Sequence, residues 1–201
     1  MRRFLHWTQG ILFASAAALL GYYGFVSADA GIFQHRESRN LDHLLKTAPA
    51  PVFGAVTRGS LIGRLEIPRL GLSAMLMEGD DAKTLRRAVG HIPGTPLPGG
   101  PGNVALSGHR DTFFRPLRNI RENDIIAVTT LEGEYRYRVV STRIVAPDNL
   151  EVLSGSAGEI LTLVTCYPFY FVGPAPDRFI VRAERLRCSS SEPSGPGGLT
   201  L

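Results

Sequence analysis

Three residue types at three predicted strand ends could together run acyl transfer. Cys166 closes the apolar run "LTLVTCYPF" (Leu161–Phe169), just ahead of a Tyr-Pro turn. His109 follows a short apolar stretch in "LSGHRDTFF" (Leu106–Phe114), and Arg178 opens one in "APDRFIVRA" (Ala175–Ala183). A thiolate is a nucleophile, and a nearby positive charge stabilises it. His109 can supply that charge and later protonate a leaving amine. Arg178 can donate hydrogen bonds to a substrate carbonyl or to a developing oxyanion. A thiolate–imidazolium pair needs no carboxylate to orient it, so Asp111 is read only as a structural neighbour of His109. Each residue also has a plainer reading. A lone cysteine on an apolar strand is ordinarily a small core residue. A histidine after glycine is ordinarily a loop residue, and an arginine beside Asp177 a solvated surface pair. On the residues alone both readings stay open.

The elements that must position these groups are short. "LIGRLEI" places Leu61, Gly63, Leu65 and Ile67 on one side and Arg64 and Glu66 on the other, and Pro68 ends it. Leu72–Met77 reads as its partner strand. "DDAKTLRRAVGHIPGT" opens with an acidic cap and reads as a short helical turn ending at Gly90 or Pro93. "NVALSGH" is a short buried strand, while "TFFRPLRNI" is too broken by Pro116 for a long helix. Asp124–Thr130, a turn at Glu132-Gly133 and Glu134–Val145 form a hairpin. "NLEVLSG" reads as a helical turn. "EILTLVTC" and "RFIVRAERL" are the last two strands, and the second sets Phe179, Val181 and Ala183 opposite Ile180, Arg182 and Glu184. Seven or eight short strands with short helical pieces predict an all-β sandwich or barrel. Strand ends open onto loops, where a rigid scaffold displays reactive groups.

The 201 residues, 44% hydrophobic and 20% charged, suit one globular domain with extensions. A net charge of +4 is spread along the chain, with no basic block interleaved with aromatics, which argues against nucleic acid. No Cys-x-x-Cys, His-x-x-x-His or acidic cluster offers ligand spacing, so no metal, calcium or other cofactor is expected. Arg2 and Arg3 precede the apolar run Gly10–Val26. Two readings compete: a cleaved secretory signal, with small-x-small at Ala28-Asp29-Ala30, or an uncleaved membrane anchor with the arginines in the cytoplasm. The anchor is the favoured one, with Trp7 and Tyr22-Tyr23 at the interfaces. Both put the rest of the chain outside the cytoplasm. Residues 1–30 are thus read as signal or anchor, 31–58 as stalk and linker, 59–187 as the catalytic domain and 188–201 as a disordered tail. An exported chain with two cysteines invites a Cys166–Cys188 disulfide.

The quoted segments resemble a known family. "TLVTC" (Thr162–Cys166) looks like the Thr-Leu-x-Thr-Cys motif of the sortases, bacterial cysteine transpeptidases. "GHRDTFF" looks like their histidine segment and "RFIVRA" like their arginine segment, in the family's order and spacing. The wording is most like class D. The resemblance implies a closed eight-stranded β-barrel with the site in a groove at strand ends. It implies cleavage of a Leu-Pro-x-Thr-Gly or Leu-Pro-x-Thr-Ala sorting signal on a surface protein. Cys166 would form a thioester, and an amine from a cell-wall precursor or a pilin lysine would resolve it. His109 would act as acid and then base, and Arg178 would bind the substrate backbone. Ser107, Val164, Thr165 and Ile180 would line the groove, with plain barrel core as the alternative for Val164 and Ile180. A nucleophilic Cys166 must be a free thiol, which argues against the bridge to Cys188. Two rival readings stand beside the sortase: a catalytically silent barrel that binds a surface protein, and a cysteine protease that transfers only to water.

Overall fold

The computed structural model describes residues 2–47, 57–170 and 173–186. Ten elements carry the architecture: α1 (Arg2–Thr47), β1 (Leu61–Ile67), β2 (Leu72–Glu78), α2 (Ala82–Arg87), β3 (Val89–His91), β4 (Asn103–Ser107), β5 (Ile125–Thr130), β6 (Gly133–Val145), β7 (Ile160–Tyr167) and β8 (Asp177–Arg185). Single 3-10 turns lie at Pro68–Leu70, Arg115–Asn119 and Leu150–Leu153. The strands close into a barrel in the order β1-β2-β3-β4-β7-β8-β6-β5. Closure leaves no unpaired edge. It is the eight-stranded barrel expected above.

Period-two alternation drives the closure. Leu65 and Ile67, Val104 and Leu106, Ile126 and Val128, Leu161 and Leu163, and Val181 and Ala183 all point into one core, together with Phe114, Leu117 and Tyr137. Arg64 and Glu66 face outward, as the alternation predicts. Most pairs are antiparallel, but β2–β3 and β4–β7 are parallel. The β4–β7 pair matters most, because it sets the end of β4, which precedes His109, beside the end of β7, which carries Cys166.

One boundary differs from the sequence reading. The helical turn stops at Arg87, and Val89–His91 is a strand rather than its continuation. Asp81 caps α2 by accepting from the Lys83 and Thr84 amides, and those bonds, first that from Thr84, hold its carboxyl below the usual carboxylate range. The strand pairs with β2 and β4 and needs glycine at position 90, where a Cβ would sit 2.2 Å from the Gly79 carbonyl oxygen. His91 is buried, with Nδ1 2.6 Å from Glu78 Oε2 and Nε2 3.0 Å from the Pro96 carbonyl. It clasps β2, β3 and the following loop.

α1 continues well past the apolar run, through residues read as a stalk. Its second half docks on the barrel. Leu41 is 1% exposed and packs with Met75 and Ala88. The Gln34 side chain accepts from the Met75 amide at 2.8 Å and donates to the Arg87 carbonyl at 2.6 Å. Arg64 donates to Ser38 and Asp42, and Arg87 pairs with Asp29 at 2.8 Å. The first half is apolar, touches no barrel core and is long enough to cross a membrane. The linker residues 48–56 and the tail with Cys188 lie outside the described residues.

Candidate active site

Cys166 and Arg178 are direct cross-strand partners between β7 and β8. In an antiparallel pair such residues project from the same face, with Cβ atoms about 5 Å apart. His109 arrives from β4. That strand runs parallel to β7 with Ser107 beside Val164, and the Gly108 amide donates to the Val164 carbonyl at 3.2 Å. Two positions beyond that pair stand His109 on one side and Cys166 on the other. Imidazole and thiol are both partly exposed, as is the guanidinium. Among the described residues Cys166 is a free thiol. The structure therefore brings the three candidate residues to one end of three adjacent strands.

The loop that carries His109 is braced from several sides. The Phe114 amide donates to the His109 carbonyl at 3.0 Å. Gly108 lies against the Phe114 ring, so a Cβ there would meet ring carbons at 2.7–3.0 Å. Arg110 donates to the Pro168 and Gly173 carbonyls, each at 3.0 Å, tying this loop to the one between β7 and β8. Arg69 reaches across to Asp124 and to the Asn119 carbonyl. The Arg69 hydrogen bond holds the Asp124 carboxyl below the usual range despite its burial, with the Arg121 amide adding to the effect. Arg178 Nη1 donates to the Ala175 and Asp177 carbonyls of its own loop. A guanidinium has five N–H donors, so this anchoring leaves donors for a substrate oxygen.

The expected groove residues divide. By alternation and register Ser107, Val164 and Ile180 lie on the same face as Cys166 and Arg178; Ser107 and Val164 are half-buried there, while Ile180 is buried. Ile180, Thr162, Arg182, Arg143 and Val152 line a cleft of about 140 Å³ under the loop after β6. Thr165 is a correction. It is 2% exposed, and its hydroxyl donates to the Gly108 carbonyl at 2.7 Å. The pleat sends it to the opposite face from Cys166, where it braces the histidine loop instead of lining a groove. Asp111 is exposed. Sequence reasoning missed Arg110 and Phe114. Their partners lie in other loops or depend on close approach to a glycine, and neither has a local periodic signal.

A thiol, an imidazole and a guanidinium are thus gathered at one end of a closed barrel. The sortase domain family model matches residues 65–186. Sortase D of Bacillus subtilis is 38% identical over 129 residues, covering 64% of this chain and 65% of that protein. Sortase A of Corynebacterium diphtheriae superposes with a TM-score of 0.61 at 29% identity, covering 68% of this chain and 65% of that one. A Clostridium perfringens sortase D5 transpeptidase superposes with a TM-score of 0.66 over 80% of this chain and 99% of that one; at 23% identity this speaks to the fold. The chain belongs to the sortase family. Its match spans a little less than two thirds of the Bacillus relative's length.

Proposed function

We propose that the protein is a membrane-anchored cysteine transpeptidase acting on surface proteins that bear a Leu-Pro-x-Thr-Gly or Leu-Pro-x-Thr-Ala type of sorting signal. The observation that carries this reading is the pairing of Cys166 with Arg178 across β7–β8, beside a β4 end that delivers His109. The Cys166 thiolate attacks the threonine carbonyl carbon, forming a C–S bond, and the carbonyl oxygen takes up negative charge. Arg178 donates to that oxygen or to the adjacent backbone. The His109 imidazolium gives its proton to the leaving amine as the C–N bond breaks, which yields a thioester. An incoming amine, from a cell-wall precursor or a pilin lysine, then attacks the thioester. His109, now neutral, accepts its proton, and the thiolate leaves. Ser107 and Val164 lie partly exposed along the same face, suited to an extended peptide. The apolar half of α1 serves as a single membrane span, with the barrel on the extracytoplasmic side.

Intact mass of the full chain in detergent, incubated with a panel of such peptides, tests the chemistry. The expected result is an acyl adduct that is absent in Cys166→Ala and discharged by an added amine. Discharge by water alone, with no amine product, would mean a plain protease. Absence of any adduct from a folded protein with a titratable thiol would leave a binding barrel.

A further inference from the structure

The direction of α1 ties the reactive end of the barrel to the end from which the apolar helix departs. α1 runs alongside β2 in the same sense. Ser27 and Ala30 lie at the start of β2, beside Leu72 and Ser73. Gln34 bonds to Met75, midway along that strand, and Ser38 and Asp42 take Arg64, the β1 partner of Met75. From Ser27 to Asp42 the helix rises about 22 Å, comparable to the length of the strand. β3 is parallel to β2, β4 antiparallel to β3, and β7 parallel to β4. The start of β2 therefore lies at the same end as the finish of β4 and β7, where His109 and Cys166 are. The two segments face each other: Ser27 and Ala30 share a cleft of about 370 Å³ with Thr112, Phe113 and Pro116, in the loop that follows His109. The apolar run ends at Val26, one residue before that cleft.

The surface at this end suits an anionic headgroup layer. Between β4 and β5 the loop carries Arg110, Arg115, Arg118 and Arg121 against Asp111, Glu122 and Asp124, and Asp124 is buried and paired with Arg69. Arg115 and Arg118 are exposed. Arg118 lies over the ring of Tyr170, 5.5 Å from its centroid, and Tyr170 is 76% exposed. Arginine and tyrosine, each with an apolar body and a polar tip, are the residue types that settle at a bilayer interface. We propose that the barrel end bearing Cys166 and His109 rests on the membrane surface, with Arg115, Arg118 and Tyr170 among anionic headgroups. A substrate would then reach Cys166 along the plane of the membrane. This inference rests on the anchor reading of α1 given above.

Fluorescence quenching in liposomes tests it on the full chain. Trp7 is the only tryptophan, so Trp7→Phe gives a silent background. Tyr170→Trp reports the reactive end. Leu131→Trp, at an exposed site in the β5–β6 turn, reports the far end, because β5 finishes beside the start of β1. The bilayer contains phosphatidylcholine, with or without phosphatidylglycerol, and a headgroup spin label as quencher. The expected result is severalfold stronger quenching for Tyr170→Trp than for Leu131→Trp. Adding phosphatidylglycerol should increase it, and Arg115→Gln with Arg118→Gln should cancel that increase. Equal, weak quenching at both positions, in protein that floats with the liposomes after a carbonate wash, would overturn the orientation and leave the anchor intact. Protein that fails to float would overturn the anchor and the orientation with it.

Discussion

At the scale of single residues, Cys166 and Arg178 owe their meeting to one cross-strand register, and each has a distinct expected signature. Cys166→Ala should abolish acyl-enzyme formation while leaving the thermal transition close to wild type, since a partly exposed thiol contributes little packing; parallel mass spectrometry and calorimetry check this. Arg178→Lys keeps the charge but loses the planar fork. Its turnover should fall by roughly 10²–10³, as for loss of an oxyanion donor, without loss of thiol titration. Unchanged turnover would instead make the guanidinium a loop anchor on Ala175 and Asp177. Thr165→Val removes the donor to the buried Gly108 carbonyl. It should cost about 1–3 kcal/mol of stability, read by denaturant unfolding, and it should slow acylation by loosening the histidine loop.

At the scale of elements, the reactive end depends on how loops are clamped. Gly108→Ala would press a methyl group into the Phe114 ring. Overpacking of this kind costs about 1–3 kcal/mol, and the displaced His109 should lower turnover more than Tm. The Arg69–Asp124 pair closes the same end, and its pH signature has a definite sign. Asp124 has a folded pKa below its unfolded one. Its contribution to stability is therefore fully present above the unfolded value of about 3.9 and is lost as pH falls through the folded value. Asp124→Asn should be less stable than wild type at neutral pH, and the gap should narrow below about pH 4. Urea unfolding across that range measures it; a gap that widens in acid would show the pair does not act this way.

At the scale of the whole molecule, the barrel and α1 form one unit through the contacts of Asp29, Gln34 and Leu41. Leu41→Ala should cost about 2–5 kcal/mol locally, because Leu41 fills the space between Met75 and Ala88. Hydrogen exchange should quicken in residues 29–47 while the barrel strands keep their protection. Faster exchange throughout the barrel would mean that the helix is integral to its stability.

The sequence by itself determined the strands with clear alternation, because a two-residue period survives in the order of side chains: β1, β5 and β8 are legible residue by residue. It determined the apolar run of α1, since length and hydropathy are local properties. It also marked Cys166, His109 and Arg178, through the chemistry of their types and their setting in motifs that resemble a family. Tertiary structure decided the rest. β3 is three residues long, too short for any period, and is made by its pairing with β2 and β4, with Gly90 close against Gly79. Thr165 was set on the inner face by the pleat, although it adjoins Cys166 in sequence. Arg110 and Phe114 act across loops, through bonds and contacts that no local pattern encodes. The docking of the second half of α1 rests on Leu41, Gln34 and Asp29, whose partners lie on β2 and α2. The reading of that segment as a stalk gave no sign of them, because a single buried leucine and a few polar bonds acquire their meaning only when the barrel surface is there to receive them.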